Sequence, residues 1–487
     1  MKYFEPTKNK IFFGNSDKLS EWTNESMDQA KIIDKIKLMM KNYLELDNVS
    51  FLFGSGTSIH LGAVAIRNFP IEVEKYIVDE DKKPELQGIN DELETTVKAL
   101  QADFLKYGKE KIGEDSVETF QNEKGWEFHI EDDIVRDGKS NEIALEYEKI
   151  LNYLIAKDFV LGENKNGTRS DKIPELITTI KEGLFNVCNL ENRIVPQNII
   201  DKKKSSQFEK EKAQGKLLET KSKYIFHEKF IKALLQRPLN LRRANIFTAN
   251  YDLAFEYAFD KLGVHYIDGF SGFHKRFFKP ETFEYDIFYP GSTTSGKVQR
   301  IEKVVRYYKL HGSLSWVNSE SRDANNLYGI EEKPLELIDS RKKKGEIIIY
   351  PSAIKKSYTL DLPYSELFRQ FAATITQSQS VLITVGYAFA DDHFNDIIYQ
   401  ALSNPTFTLI VVDFQGTQNE YILKLKELND PRIIILEGEF FGDFLTFADT
   451  LMPNFNNNDS NENVANTLNK LLSTKTSNIE TTKPGEE

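Results

Sequence analysis

The chain has 487 residues, of which 40% are hydrophobic, 28% charged and 12% aromatic, a balance that fits a soluble globular protein of two or three domains and excludes a wholly disordered or fibrous chain. Acids outnumber bases by 75 to 63, for a formal net charge of −12, so a broad electrostatic grip on a nucleic-acid backbone is not its main business. Cys188 is the only cysteine, which rules out an intramolecular disulfide and a cysteine-rich zinc cluster within one chain.

The N-terminal stretch Met1 to Asn15 mixes Lys2, Glu5, Lys8 and Lys10 with aromatics. It lacks the apolar core of a secretory signal, so a cytoplasmic location is expected. Ile32, Ile33, Ile36, Met39, Met40, Tyr43 and Leu44 recur at three-to-four spacing, which predicts a helix that packs one apolar stripe on a core. The compact run Val49 to Phe53 stops at Gly54-Ser55-Gly56-Thr57-Ser58, the pattern of a buried strand feeding a tight turn, and a second helix is expected to start there.

From about Glu72 to Arg243 long charged stretches with helical spacing, such as Ile143, Tyr147, Ile150, Leu151 and Leu154, predict a helical insertion. Inside it, Ile200 to Lys216 carries Lys202, Lys203, Lys204, Lys210, Lys212 and Lys216 among Ser and Glu, as solvated loops do. Strands are then expected at Ala244 to Thr248, Val304 to Leu310, Glu346 to Tyr350, Val381 to Val385, Thr406 to Asp413 and Arg432 to Leu436. Helices are expected at Tyr251 to Leu262, Tyr364 to Gln377, His393 to Leu402 and Phe444 to Met452. Such alternation builds a parallel sheet covered on both faces, a doubly wound (Rossmann-like) α/β fold. The domain runs over 1–452, is interrupted by the insertion at about 72–243, and is followed by a polar tail, 453–487, expected to be disordered. The longest apolar stretches, such as Val381 to Ala390, fall short of the roughly 18 to 20 residues that a membrane span needs.

A strand ending in Gly54-Ser55-Gly56 lets the backbone turn sharply and approach a ligand, and a following helix N-terminus would offer free N–H groups to a pyrophosphate. The formal dinucleotide fingerprint fails, because Ile59 stands where a third glycine belongs. A second strand end carries Thr248-Ala249-Asn250-Tyr251-Asp252 and a third carries Lys309-Leu310-His311-Gly312. Ligands of open α/β sheets bind outside such ends, although Asn250 and Asp252 also suit ordinary helix caps. Asp391-Asp392-His393 has no third ligand at helical spacing, which argues against a metal there. No P-loop pattern occurs, so any ATPase must be a partner.

In this order, and completed by Gly386-Tyr387-Ala388-Phe389-Ala390-Asp391, these motifs resemble the sirtuin-like NAD-consuming family. The stretch Pro363 to Phe368 ahead of Gly386 looks more narrowly like bacterial sirtuin-like proteins of anti-phage defence, including those paired with a HerA-type ATPase. The resemblance implies cleavage of NAD+ to nicotinamide and ADP-ribose, depleting the infected cell, with Asn250 and His311 as catalytic residues. It implies Gly54, Ser55, Gly56, Thr57 and Ser58 at the pyrophosphate, Gly386 and Tyr387 at the adenosine, and Thr248 and Asp252 as binding or supporting residues. Asp413, at the end of its strand, is expected at ribose hydroxyls. NAD enters as substrate, and no zinc is expected, since the four cysteines that hold the structural zinc of deacylases are missing. A homo-oligomer, gated by the insertion or a partner ATPase, is expected because an uncontrolled NADase would kill its host. The rival readings are an NAD or ADP-ribose sensor without turnover, an NAD-dependent deacylase or ADP-ribosyltransferase, and a nucleic-acid-binding subunit.

Overall fold

Val49, Phe51 and Phe53 point into one hydrophobic cluster and Leu52 into another, which is why this strand is apolar at nearly every position: both of its faces are covered. The computed structural model describes residues 4–64, 69–96, 99, 150–160, 172–191, 193, 222–290, 300–320, 326–338, 341–344, 346 and 363–453. Its first elements are the antiparallel pair β1 (Asn9–Phe13) and β2 (Ser16–Asp17), then α1 (Lys18–Asn24), α2 (Gln29–Leu44) and β3 (Asn48–Phe53). Helices α3 (Phe69–Asp81), α4 (Lys172–Cys188) and α5 (Ile225–Leu234) fall in or overlap the segment expected as an insertion, about 72–243.

The sheet continues through β4 (Asn245–Thr248), α6 (Ala254–Leu262) and β5 (His265–Ile267). A small antiparallel sheet, absent from the sequence-based expectation, follows as β6 (Phe270–Ser271) and β7 (Arg276–Phe278). After β8 (Val304–Lys309) of the main sheet it is completed by β9 (Trp316–Asn318) and β10 (Ile330–Glu332). The chain then alternates through α7 (Tyr364–Ile375), β11 (Ser380–Val385), α8 (Asp392–Leu402), β12 (Thr408–Asp413), α9 (Glu420–Glu427) and β13 (Ile433–Glu437).

The main sheet has nine strands in the order β2-β1-β13-β12-β11-β3-β4-β8-β5. From β13 to β5 every neighbouring pair is parallel, and the β1–β2 hairpin adds an antiparallel edge. The chain leaves β3 toward β4 and later resumes on its other side at β11, so the switch point lies between β3 and β11, where such sheets bind ligands. Helices α2, α5 and α6 cover one face, and α7, α8 and α9 the other. The expected doubly wound α/β fold is therefore present.

Several boundaries differ from expectation. The Gly54 loop opens no α-helix but two 3-10 turns, Ser55–Thr57 and Ile59–Leu61, the second ended by Gly62 at φ +91°. The helix expected from Tyr251 starts at Ala254, because the Asp252 carboxylate accepts from the Ala254 N–H and delays the helical path. The helix expected over Phe444 to Met452 is a short α-turn, Phe444–Thr446, running into a π-turn, Phe447–Leu451. Residues 347–350 of the strand expected at Glu346, the lysine-rich segment from Ile200 to Lys216, and the tail from 454 lie outside the described residues. Among the described residues of the segment expected as an insertion, α3, α4 and α5 are helical, and α3, α4 and residues 150–154 share a separate apolar cluster. No helix among the described residues is long and apolar enough to cross a membrane.

Candidate functional site

The loops after β3, β4, β8, β11 and β12 leave the same edge of the sheet, because these five strands are neighbours and parallel. At the switch point two of them touch. Gly54 N donates to Val385 O at 3.0 Å and Gly56 N to Gly386 O at 3.0 Å. A Cβ on Gly54 would lie 2.4 Å from Gly386 O, and one on Gly386, at φ +61°, would lie 2.8 Å from Gly56 Cα. The three glycines thus let one loop cross another. The amides of Gly56, Thr57 and Ser58 have backbone acceptors, and no hydrogen bond among the described residues engages that of Ser55. With no α-helix opening at this loop, the helix N-terminus expected beside a pyrophosphate is absent.

Thr57 and Ser58 are buried and point inward. Asn250 Nδ2 lies 3.1 Å from Gly54 O, 3.2 Å from Thr57 Oγ1 and 3.3 Å from Ser58 Oγ. Ser58 Oγ donates to Asp252 Oδ2 at 2.7 Å, while Asp252 Oδ1 accepts from Ala254 N at 3.0 Å. Asp252 therefore both holds the Ala254 amide at the start of α6 and fixes the serine that lies against Asn250. Thr248, also buried, donates to Phe53 O at 3.2 Å and accepts from Asn250 N at 3.0 Å. The half-buried Asn250 is thus held through both its N–H groups, and no hydrogen bond among the described residues uses its Oδ1.

His311 lies on the next strand end, since Thr248 pairs with Lys309 in the β4–β8 register. Its loop and that of Asn250 are joined by Leu314 N donating to Tyr251 O at 3.1 Å, and the rings of Tyr251 and His311 are 6.3 Å apart. His311 Nε2 is 3.2 Å from Asp391 Oδ2, and the imidazole packs on Phe394 at 5.0 Å. Asp391 Oδ1 accepts from His393 N at 3.0 Å and so caps α8. The Asp391 carboxylate thus lies at ion-pair distance from the imidazole. Asp391, which closes the Gly386-Tyr387-Ala388-Phe389-Ala390-Asp391 motif and opens the Asp391-Asp392-His393 cluster, is not among the site residues expected from the sequence, yet it lies beside His311.

Tyr387, expected at an adenosine, turns inward with its hydroxyl 3.3 Å from Asp391 O and 3.4 Å from Asn395 Oδ1. Asp413 lies at the same sheet edge, where Oδ1 accepts from Gln415 N and Gly416 N at 2.9 and 2.8 Å, and burial pushes its carboxyl above the usual range against those bonds. Helix α4 reaches these loops as well. Phe185 and Cys188 of α4 form a cluster with Leu314, against which Tyr251 packs.

A parallel sheet with a glycine crossing at its switch point, and with an amide, an imidazole and two buried carboxylates on neighbouring strand ends, has the architecture of nucleotide-binding α/β proteins. A family model described as a SIR2-like domain matches residues 244–429, less than half of the chain. The match spans Asn250, Asp252, His311 and Asp391 and leaves the Gly54 loop outside. It supports a sirtuin-like family and NAD-related activity. No curated protein matches the chain.

Proposed function

We propose that the protein is an NAD+ glycohydrolase that cleaves NAD+ to nicotinamide and ADP-ribose. The observation that carries this reading is the meeting of Asn250, with its Nδ2 held, and the His311–Asp391 pair on loops of one sheet edge. In NAD+ the bond between ribose C1′ and the pyridinium nitrogen breaks with its electron pair going to nicotinamide, which leaves neutral without a general acid. Positive charge then develops on the ribose, and fixed dipoles and carboxylates in a dry site stabilise it. Asn250 Oδ1 is the acceptor that orients the ribose or the water. As the water oxygen bonds to C1′, its proton passes to His311 Nδ1, a contribution typically worth about 10² to 10⁴ in rate.

Within this reading the protein is an effector of bacterial anti-phage defence that depletes NAD+ in infected cells. It works as a homo-oligomer or with a HerA-type ATPase, and the insertion gates the site. The contact of α4 with Leu314 and Tyr251 supports that last point, because a movement of α4 would reach the loop of Asn250. The test is nicotinamide release from NAD+ by the purified chain, alone and with candidate partners or triggers, compared with Asn250→Ala and His311→Ala. Release by the unmodified chain that both substitutions abolish is expected. Saturable NAD+ binding without release under every condition would replace the hydrolase by a sensor.

A further inference from the structure

Between β4 and α6 the chain makes a short irregular turn at residues 249–253, and Asn250 keeps its place only if that turn is held. One end is fixed by Thr248, whose hydroxyl accepts from Asn250 N. The other is fixed from the neighbouring strand by Lys309, a lysine only 4% exposed. An ammonium has three donors, and all three are engaged: Lys309 Nζ lies 3.2 Å from Tyr251 O, bonds Asp252 O, and lies 2.8 Å from Glu256 Oε1. Glu256, on the first turn of α6, is buried too, and its Oε2 accepts from Tyr307 Oη at 3.1 Å. The backbone of Lys309 meanwhile accepts from Gly312 N at 3.2 Å, closing the turn that carries His311. One residue therefore grips the Asn250 turn with its side chain and the His311 turn with its main chain.

We infer that Lys309, anchored by Glu256, is a positioning residue that sets the Asn250 amide relative to the His311 imidazole. Stability alone does not explain the pair, because replacing a buried ion pair by apolar groups of similar size is often neutral or stabilising. What apolar groups cannot replace is the hold on two backbone carbonyls of the turn. The catalytic consequence rests on the NAD-cleaving reading; the hold on the turn does not.

The experiment uses the full chain carrying Lys309→Met together with Glu256→Leu, which removes both charges and leaves neither unpaired. Three quantities are read: the thermal midpoint, amide hydrogen exchange over residues 250–257, and kcat and KM for NAD+ under conditions where the unmodified chain releases nicotinamide. The expected result is a midpoint within a few degrees of the unmodified chain and exchange in the turn faster by about tenfold or more. With it, kcat falls about 10- to 100-fold while KM changes less than about threefold, as for a small displacement of a reacting group. Exchange or kcat at the unmodified level in the folded double variant overturns the inference.

Should that variant not fold, Tyr307→Phe removes only the hydroxyl that steadies Glu256. It is expected to lower kcat about two- to fivefold and to speed exchange at 251–256 measurably, and no change in either overturns the inference. If the unmodified chain does not cleave NAD+, the cleavage reading fails while the exchange measurement still decides whether Lys309 holds the turn.

Discussion

The contact that most directly tests the site is the 3.2 Å approach of His311 Nε2 to Asp391 Oδ2. Asp391→Asn preserves shape, and asparagine caps a helix as well as aspartate does, so the cap on His393 N survives. What disappears is the charge beside the imidazole. Losing it destabilises the imidazolium that forms as the water's proton arrives by on the order of 1 to 2 kcal/mol, which corresponds at about 1.36 kcal/mol per decade to a fall of about 5- to 30-fold in kcat. Asp391→Ala loses the same charge and about 1 kcal/mol of capping as well. The assay is chromatographic measurement of nicotinamide released from saturating NAD+ by Asp391→Asn, His311→Ala and the double variant. Because Asp391 acts through the imidazole, the double variant should be no slower than His311→Ala. The reasoning is refuted if Asp391→Asn retains full kcat, or if it slows His311→Ala by the same factor as it slows the unmodified chain.

Other consequences can be checked by stability and labelling. His227 is fully buried, stacks on His60 at 5.4 Å, and burial pushes its imidazole down to about 3. The unfolded chain therefore binds the extra proton first, so stability is complete above about pH 6.5 and drains as pH falls toward 3; this group accounts for about 2 kcal/mol between pH 7 and 5. His227→Leu should flatten the fall in thermal midpoint over that range, and an unchanged pH slope would exclude the histidine as its source. Gly386→Ala places a methyl 2.8 Å from Gly56 Cα at a φ of +61°, so a loss of about 1 to 3 kcal/mol and a lowered melting temperature are expected, and an unchanged one would contradict the loop crossing. Burial, with the nearby charge of Asp252 second, holds the Cys188 thiol well above its usual range. A thiol reagent at pH 8 should thus label it only on denaturation or when α4 lifts from Leu314, and labelling within seconds of mixing would show that the contact is not maintained.

The sheet was legible because its strands are covered on both faces and read as unbroken apolar runs, as at Val49 to Phe53 and Val381 to Val385. Turn residues marked their ends, so the strand-end positions of Asn250 and His311 could be read with no coordinates. The small sheet was not legible: its strands are two or three residues long, and Arg276 and Glu332 on two of them pair with each other rather than show an apolar period. The helix expected after Ser58 failed for a local reason. The hydroxyls of Thr57 and Ser58 turn onto Gly54 O and Asp252, and such side-chain bonds draw the backbone into tight turns instead of a helix. The role of Asp391 was hidden because one carboxylate serves both a helix cap and a histidine 80 positions away, and sequence spacing reports only the cap.

That double use recurs across the site and bears on how its motifs should be read. Thr248, Thr57, Ser58, Asp252 and Tyr387 belong to the strand-end motifs, yet each has its side-chain oxygen bonded inside the protein. They form a frame. Asn250 Oδ1, His311 Nδ1 and the Ser55 amide are among the groups that frame leaves without a hydrogen bond among the described residues. Substituting a frame residue should therefore lower stability and activity together, since an unsatisfied buried partner is left behind. Substituting Asn250 or His311 should lower activity by far more than it lowers stability. The ratio of the two effects, measured residue by residue, separates a hydroxyl that touches a dinucleotide from one that only holds the loop in place.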